Sequence, residues 1–298
     1  MRTRTPWFFC FQHFAFGRFG RTAPTLALVL SAALYLTITP SYGQQNPFTQ
    51  ILGNTDQGIV LPQSVPLVSR QDAGALAEIQ AYRSAISLGS WVDMQAVGSL
   101  TPNTSDPSAV PATRWIRGQR GYRLDIQKPK GTSSLRMDGT YGALQHQDGH
   151  MRAMNARDAV AGLLAFPMLM DPNFPAASAM LIDQGTVTVD GVALHRITVE
   201  RPWPGNPVGV TSNPLTTVTD LYFNLQTHLL VKSANGVVGL NPSSEQLLQV
   251  ITYGDYQAVN GMQVPAEYRE TLNGQVLWTL QLNQIHLNQG LPESNFHF

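Results

Sequence analysis

The sequence predicts an α+β protein, with one large antiparallel sheet and helices packed on one of its faces. Three observations carry that expectation. Apolar and polar residues alternate through most of the chain after Trp91, which is the period of a half-buried strand. Asp190-Gly191, Asn260-Gly261 and Asn273-Gly274 punctuate that alternation with the dipeptides that most favour two-residue hairpins. Two stretches break the period and read as helices, one ahead of the strands and one between two groups of them. A sheet of this many strands must curl or close.

The first 43 residues read as a secretory signal peptide. Arg2, Arg4, Arg18 and Arg21 form a positive segment with no acidic residue, and an apolar run from Leu26 to Ile38 follows. Ser41-Tyr42-Gly43 is a small-x-small cleavage site, and Gln44 starts the mature chain. The alternative is an uncleaved N-terminal anchor, although the run is shorter than the ~20 apolar residues a spanning helix needs. Cys10, the only cysteine, precedes the apolar run. Disulfides, thiol chemistry and a lipidated cysteine after that run are therefore excluded from the mature chain. Taking the four leader arginines from 19 basic residues leaves 15 against 19 acidic ones, a net charge of −4. That balance gives no electrostatic footprint for nucleic acid. Residues 44–70, rich in Gln, Pro and Gly, read as a linker or arm, and 71–298 as the folded domain.

Within the domain, Asp72 to Ser87 reads as a helix. Leu76, Ile79, Tyr82 and Ile86 share a face, Asp72 stands at the N-cap, and Gly89 ends it. Val92, Met94 and Ala96 then alternate with Asp93 and Gln95, and a polar loop spans Thr101 to Pro111. Tyr122, Leu124 and Ile126 continue the alternation, with turns at Pro129–Gly131 and Met137–Gly139. Asn155 to Met170 is a second helix, apolar on every side after Val160 and kinked or ended by Pro167. A short helical piece at Ala176–Ile182 follows, and strands resume at Thr186. Leu221, Phe223 and Leu225 take one face of the next hairpin, and Asp220, Tyr222 and Asn224 the other. Met262, Val264, Ala266 and Tyr268 share a face, as do Val276, Trp278, Leu280 and Leu282.

Four stretches carry a resemblance: "GYRLDIQKPKG", "VDGVALHRITVE", "YFNLQTHLLVKS" and "YGDYQAVNGMQVPAEYRETLNGQ" running on to "TLQLNQIHLN". Their pattern and order, from about Asp72 to Phe298, resemble the outer-membrane lipoprotein carrier (LolA-like) superfamily, which includes the outer membrane lipoprotein-sorting proteins. The resemblance implies an open half-barrel with helices covering its concave apolar face and a cavity for acyl chains between them. It also implies an arginine that steers helix closure, for which Arg114, Arg117 and Arg120 are equal candidates. The Thr101–Pro111 loop and the 44–70 segment depart from the compact carrier.

The candidate ligand-lining residues follow. Leu163, Leu164, Phe166, Met168 and Met170 on the apolar helix line a lipid cavity or are ordinary core. The same two readings stand for Leu221, Phe223, Leu225, Met262, Val264, Trp278, Leu280 and Leu282 on the strands. His146 and His150 flank a hairpin tip instead of a zinc site, and His195, His228 and His286 each read as alone on a strand. Tyr253 and Tyr256, with Trp203 in a rigid Pro-flanked loop, read as an aromatic sugar- or peptide-binding patch or, for the Trp, as a cap on a barrel end. No G-x-S-x-G elbow, P-loop or dinucleotide fingerprint occurs, so no catalytic residue, cofactor or metal is expected. The expected function is a periplasmic, monomeric, non-catalytic carrier of a lipid or an acylated lipoprotein. The alternatives are an envelope sensor or scaffold that binds lipid or a membrane-protein partner, and a ligand-free structural module.

Overall fold

The computed structural model describes residues 58–59, 71–103, 107–118, 121–138, 141–153, 174, 179–202, 216–238 and 246–297. Among them stand one α-helix, α1 (Ala73–Ala85), and thirteen strands in a single antiparallel sheet. The first six strands are β1 (Asp93–Pro102), β2 (Val110–Arg117), β3 (Gly121–Lys128), β4 (Gly131–Asp138), β5 (Tyr141–Gln145) and β6 (Met151–Ala153). The rest are β7 (Met180–Val189), β8 (Val192–Pro202), β9 (Thr216–Asn224), β10 (Leu230–Val238), β11 (Gln246–Val259), β12 (Met262–Leu272) and β13 (Gln275–Leu287). The spatial order is β6-β5-β4-β3-β2-β1-β13-β12-β11-β10-β9-β8-β7. The chain therefore starts mid-sheet, meanders out to β6, resumes at the opposite edge with β7, and meanders back until β13 pairs with β1. The sheet is open, with β6 and β7 as its edges.

The hairpin reading holds at the level of dihedral angles. Asp190, Asn260 and Asn273 have φ of 50°, 50° and 46°, and the glycine after each is also positive. Two consecutive positive-φ residues make the turn whose twist matches the flanking strands, which is why Asx-Gly occupies all three.

Several expectations are corrected. Helix α1 stops at Ala85 because Ser87, at φ 52°, already takes the left-handed conformation, so Gly89 does not end it. Its buried face is Ala75, Ile79, Tyr82 and Ile86, while Leu76 is 37% exposed. Asp72 has an extended N-cap backbone but makes no side-chain cap bond; its carboxylate accepts the Asp183 N–H across the sheet instead. Ile182 belongs to β7, which begins at Met180, earlier than Thr186. Among the described residues α1 is the only α-helix, so one helix, not several, covers the sheet there. The second helix, Asn155 to Met170, lies outside the described residues.

The face that carries α1, called inner here, holds one continuous apolar cluster from β1 through β13. Among the described residues the outer face is covered in two places. The C-terminal tail packs there, with Phe296 buried beside Gly121 and Asp93 accepting the Gln289 and Leu291 N–H groups at 2.6 and 2.9 Å. At the other end, Ile59 from the 44–70 segment joins Val189, Leu194, Tyr222, Ala234 and Val250. Gly58 approaches so closely that a Cβ would lie 2.4 Å from the Thr188 carbonyl oxygen.

Candidate functional site: the inner face beneath helix α1

Helix α1 crosses six strands. Its 13 residues span about 20 Å at ~1.5 Å per residue. The five steps from β7 to β12 measure roughly 24 Å at ~4.8 Å each. The contacts follow that path. Asp72 donates its N–H to the Leu181 carbonyl on β7 at 2.9 Å. Glu78 reaches His195 on β8 and His228 in the β9–β10 turn. Tyr82 packs its ring 5.7 Å from that of Phe223 on β9 and hydrogen-bonds Tyr256 on β11. The Ile86 carbonyl accepts the Gln263 N–H of β12 at 2.9 Å. Arg83 donates to the Phe174 carbonyl, tying α1 to the chain between β6 and β7; Phe174 itself is buried in the inner cluster.

At the centre of the inner face lies a cation among rings. Arg114 on β2 is fully buried, with its guanidinium 4.2 Å from the Tyr268 ring centroid and 5.6 Å from that of Tyr122. A desolvated cation over aromatic faces contributes about 2 kcal/mol. Tyr253 packs edge-on against Tyr268 at 5.7 Å. Burial pushes the Tyr122 phenol up to about 12, and raises those of Tyr82, Tyr253 and Tyr268, so the rings stay neutral around the cation.

Towards the rim away from α1 the inner face turns polar. Thr219 donates to Asn235, and Gln249 donates to Glu270 at 2.6 Å, all four residues buried. Burial raises the Glu270 carboxyl to about 7, against the pull of hydrogen bonds from Gln249 and Trp278. The inner surface is thus apolar beneath α1, cationic in the middle and hydrogen-bonding at the far rim.

Most strand residues read as ligand-lining lie on this face. Leu221, Phe223, Met262, Val264, Trp278, Leu280 and Leu282 are all buried in the inner cluster. Leu225 is not; it sits past the end of β9, 40% exposed. Asp220 and Tyr222, expected on a solvated face, are buried on the outer one. Leu163, Leu164, Phe166, Met168 and Met170 lie outside the described residues. Tyr253 is buried and Tyr256 donates to the Leu230 carbonyl at 2.8 Å, so these two do not form a surface patch; Trp203 lies outside the described residues. His195 and His228 are not alone, because both meet Glu78. His146 and His150 do sit at a hairpin tip, the His146 N–H donating to the His150 carbonyl at 2.8 Å. Among the arginine candidates, Arg114 lies on the inner face, Arg117 pairs at 3.6 Å with Glu293, and Arg120 lies outside the described residues.

The polar inner residues were missed, yet the pattern holds a signal for them. Arg114 falls in phase with Ala112 and Ile116, Glu270 with Ala266 and Tyr268, and Glu78 beside Ala75 and Ile79 on the apolar stripe of α1. A charge in the inward phase of an apolar pattern marks a residue buried with partners.

No family model matches the chain, and no curated protein matches it. Solved structures do resemble it in fold. An outer membrane lipoprotein-sorting protein domain from Vibrio parahaemolyticus is 10% identical with a TM-score of 0.48. A LolA superfamily protein from Nitrosomonas europaea is 12% identical with a TM-score of 0.47. A DUF1329 family protein from Desulfovibrio piger is 9% identical with a TM-score of 0.46. Each comparison covers 75% of this chain and 97% of the other. At that distance no ligand or role passes from them to this chain.

Proposed function

We propose that the chain is an exported, non-catalytic binding protein that carries a lipid or acyl chain between its inner face and the elements lying on it. The observation that supports this is the manner of covering. The sheet is one continuous hydrogen-bonded ladder, whereas α1 is held on it by the packing of Ala75, Ile79, Tyr82 and Ile86 and by a few polar ties at Asp72, Glu78 and Ile86. Such a cover can lift without disturbing the ladder, exposing an apolar surface that includes Phe223 and Val264. Burying an acyl chain there is worth about 0.8 kcal/mol per methylene. That is enough to hold a lipid away from water while it crosses an aqueous compartment such as the periplasm. The leader at 1–43 is the export signal in this reading.

A second reading, a filled core in a structural module, draws on the complete burial of Leu280, Leu282 and Val264. Native mass spectrometry of the exported protein, purified without detergent and followed by solvent extraction, separates the two. The carrier reading expects a bound acyl lipid near one per chain. An apo mass that also takes up no added fatty acid or lipid fluorophore leaves the filled core.

A further inference from the structure

Helix α1 is joined to the sheet by a chain of four ionisable side chains. Glu78, 7% exposed on the buried side of α1, places one carboxylate oxygen 3.0 Å from Nδ1 of His195 and the other 3.0 Å from Nδ1 of His228. The second ring nitrogen of His195, Nε2, lies 2.8 Å from a carboxylate oxygen of Asp183 on β7. Asp183 also accepts the Gly185 N–H at 2.8 Å and donates its own N–H to Asp72, the residue that starts α1. The charged and titratable groups facing His195 are therefore Glu78 from α1 and Asp183 from β7. Asp72 stands behind Asp183, and His228 behind Glu78, from the β9–β10 turn. Arg83 turns instead to the Phe174 carbonyl, and Arg196 reaches Asp220 on the opposite face of the sheet.

The geometry dictates a protonation state. A neutral imidazole carries one N–H, and its other nitrogen is an acceptor. Between two carboxylates, neutral His195 donates to one and turns a lone pair on the other. Only the imidazolium donates to both. The bond that fastens α1 to β7 and β8 is therefore complete only when His195 is charged.

We propose that the Asp183–His195–Glu78–His228 chain is a pH-operated latch that holds α1 down at mildly acidic pH and loosens it as pH rises. The direction follows by linkage. Burial opposes charge on His195, but the hydrogen bonds to Asp183 and Glu78 outweigh it and raise its pKa above the ordinary histidine value. The contribution is thus full below an unfolded pKa of about 6.5 and is lost as pH climbs through the higher folded value. Asp183 is held below the usual carboxylate range, first by the His195 bond and then by Gly185, so its own bond to His195 persists into acid. As a control on ligand access the latch rests on the carrier reading above; as a control on α1 it does not.

The test is amide hydrogen exchange of the whole chain at about pH 5.5 and about pH 9, corrected for the intrinsic pH dependence of exchange. The expected result is a loss of protection confined to Ala73–Ala85, about tenfold for each pH unit by which the histidine is shifted. β9 and β12 should stay unchanged. His195→Gln and, as a gentler variant, Glu78→Gln should abolish the difference, and His286→Gln, at an exposed position, should keep it. Equal protection of α1 at both pH values, or a difference that survives both latch variants, overturns the proposal. Uptake of a lipid fluorophore measured on the same samples keeps the two ideas apart. A pH step in α1 without any uptake sinks the carrier and leaves the latch; uptake without a step does the reverse.

Discussion

The two faces of the sheet bury charge in opposite ways. On the outer face Asp220, fully buried, meets the Arg196 guanidinium at 2.6 Å and accepts from the Thr198 hydroxyl at 2.6 Å, with Gln184 donating to Thr198 in turn. A guanidinium does not titrate in the working range, so the cation of this pair is permanent, while burial raises the Asp220 carboxyl above the usual range against the pull of Thr198 and Arg196. On the inner face Glu270 is as deeply buried, but its hydrogen bonds come from the Gln249 amide and the Trp278 indole, and its pKa climbs to about 7. Glu78 and Asp183 face a histidine. The outer network is fixed charge that fastens strand to strand. On the inner face Glu270 changes its charge near pH 7 at the rim away from α1, and the carboxylates that meet His195 lie where a separate element rests on the ladder. The same strands thus carry rigidity on one side and adjustable attachment on the other.

The hardest way to break this contrast is to remove the outer cation. Arg196→Leu should cost about 3–5 kcal/mol in denaturant unfolding, because it leaves Asp220 charged and unpaired in the interior. Adding Asp220→Leu should recover most of that loss. If Arg196→Leu alone is nearly silent, the outer pair is not the fixed element described here. Glu270→Gln comes next and acts through pH. The folded pKa of about 7 lies above the unfolded value of 4.5, so between them the folded state holds more protons. Stability must therefore fall as pH rises through that window, by about 3 kcal/mol in total. The Gln variant keeps the shape and should flatten that part of the pH–stability curve while leaving the effect of Arg196→Leu intact. A wild-type curve that is already flat from about pH 4.5 to 7 would mean that Glu270 ionises freely in the fold.

How far the sequence carried this picture depended on which interactions were local. The Asx-Gly turns were legible because each is set by two residues, and the phase of β12 was legible because Met262, Val264, Ala266 and Tyr268 alternate without a break. The return of β13 to β1, which opens the sheet between β6 and β7, was not legible: it pairs Leu100 with Leu280, a contact no local pattern announces. Alternation also misled wherever both faces are covered. Asp220 and Tyr222 look like solvent positions because their neighbours are apolar, yet Ile59 and its surroundings bury the outer face there. The latch was illegible for the same reason. Glu78 and His228 are 150 residues apart, and only the path of α1 across β8 to β10 brings them together.

The smallest effect tests where the fixed outer network ends. Lys232 on β10 reaches Asp190, at the β7–β8 turn, at 2.6 Å. The Lys232 side chain is 10% exposed and that of Asp190 33%. This pair resembles the Asp220–Arg196 pair in geometry but lies at the rim, where water and salt screen it. Asp190 also occupies the first position of a positive-φ turn, so most substitutions there would mix two losses. Asp190→Asn avoids that, since Asn-Gly is the preferred dipeptide for such a turn. It removes the charge and keeps the backbone. The expected loss is about 0.5–1 kcal/mol, shrinking as salt is added. A loss approaching that of Arg196→Leu, and indifferent to salt, would extend the fixed network to the edge of the sheet.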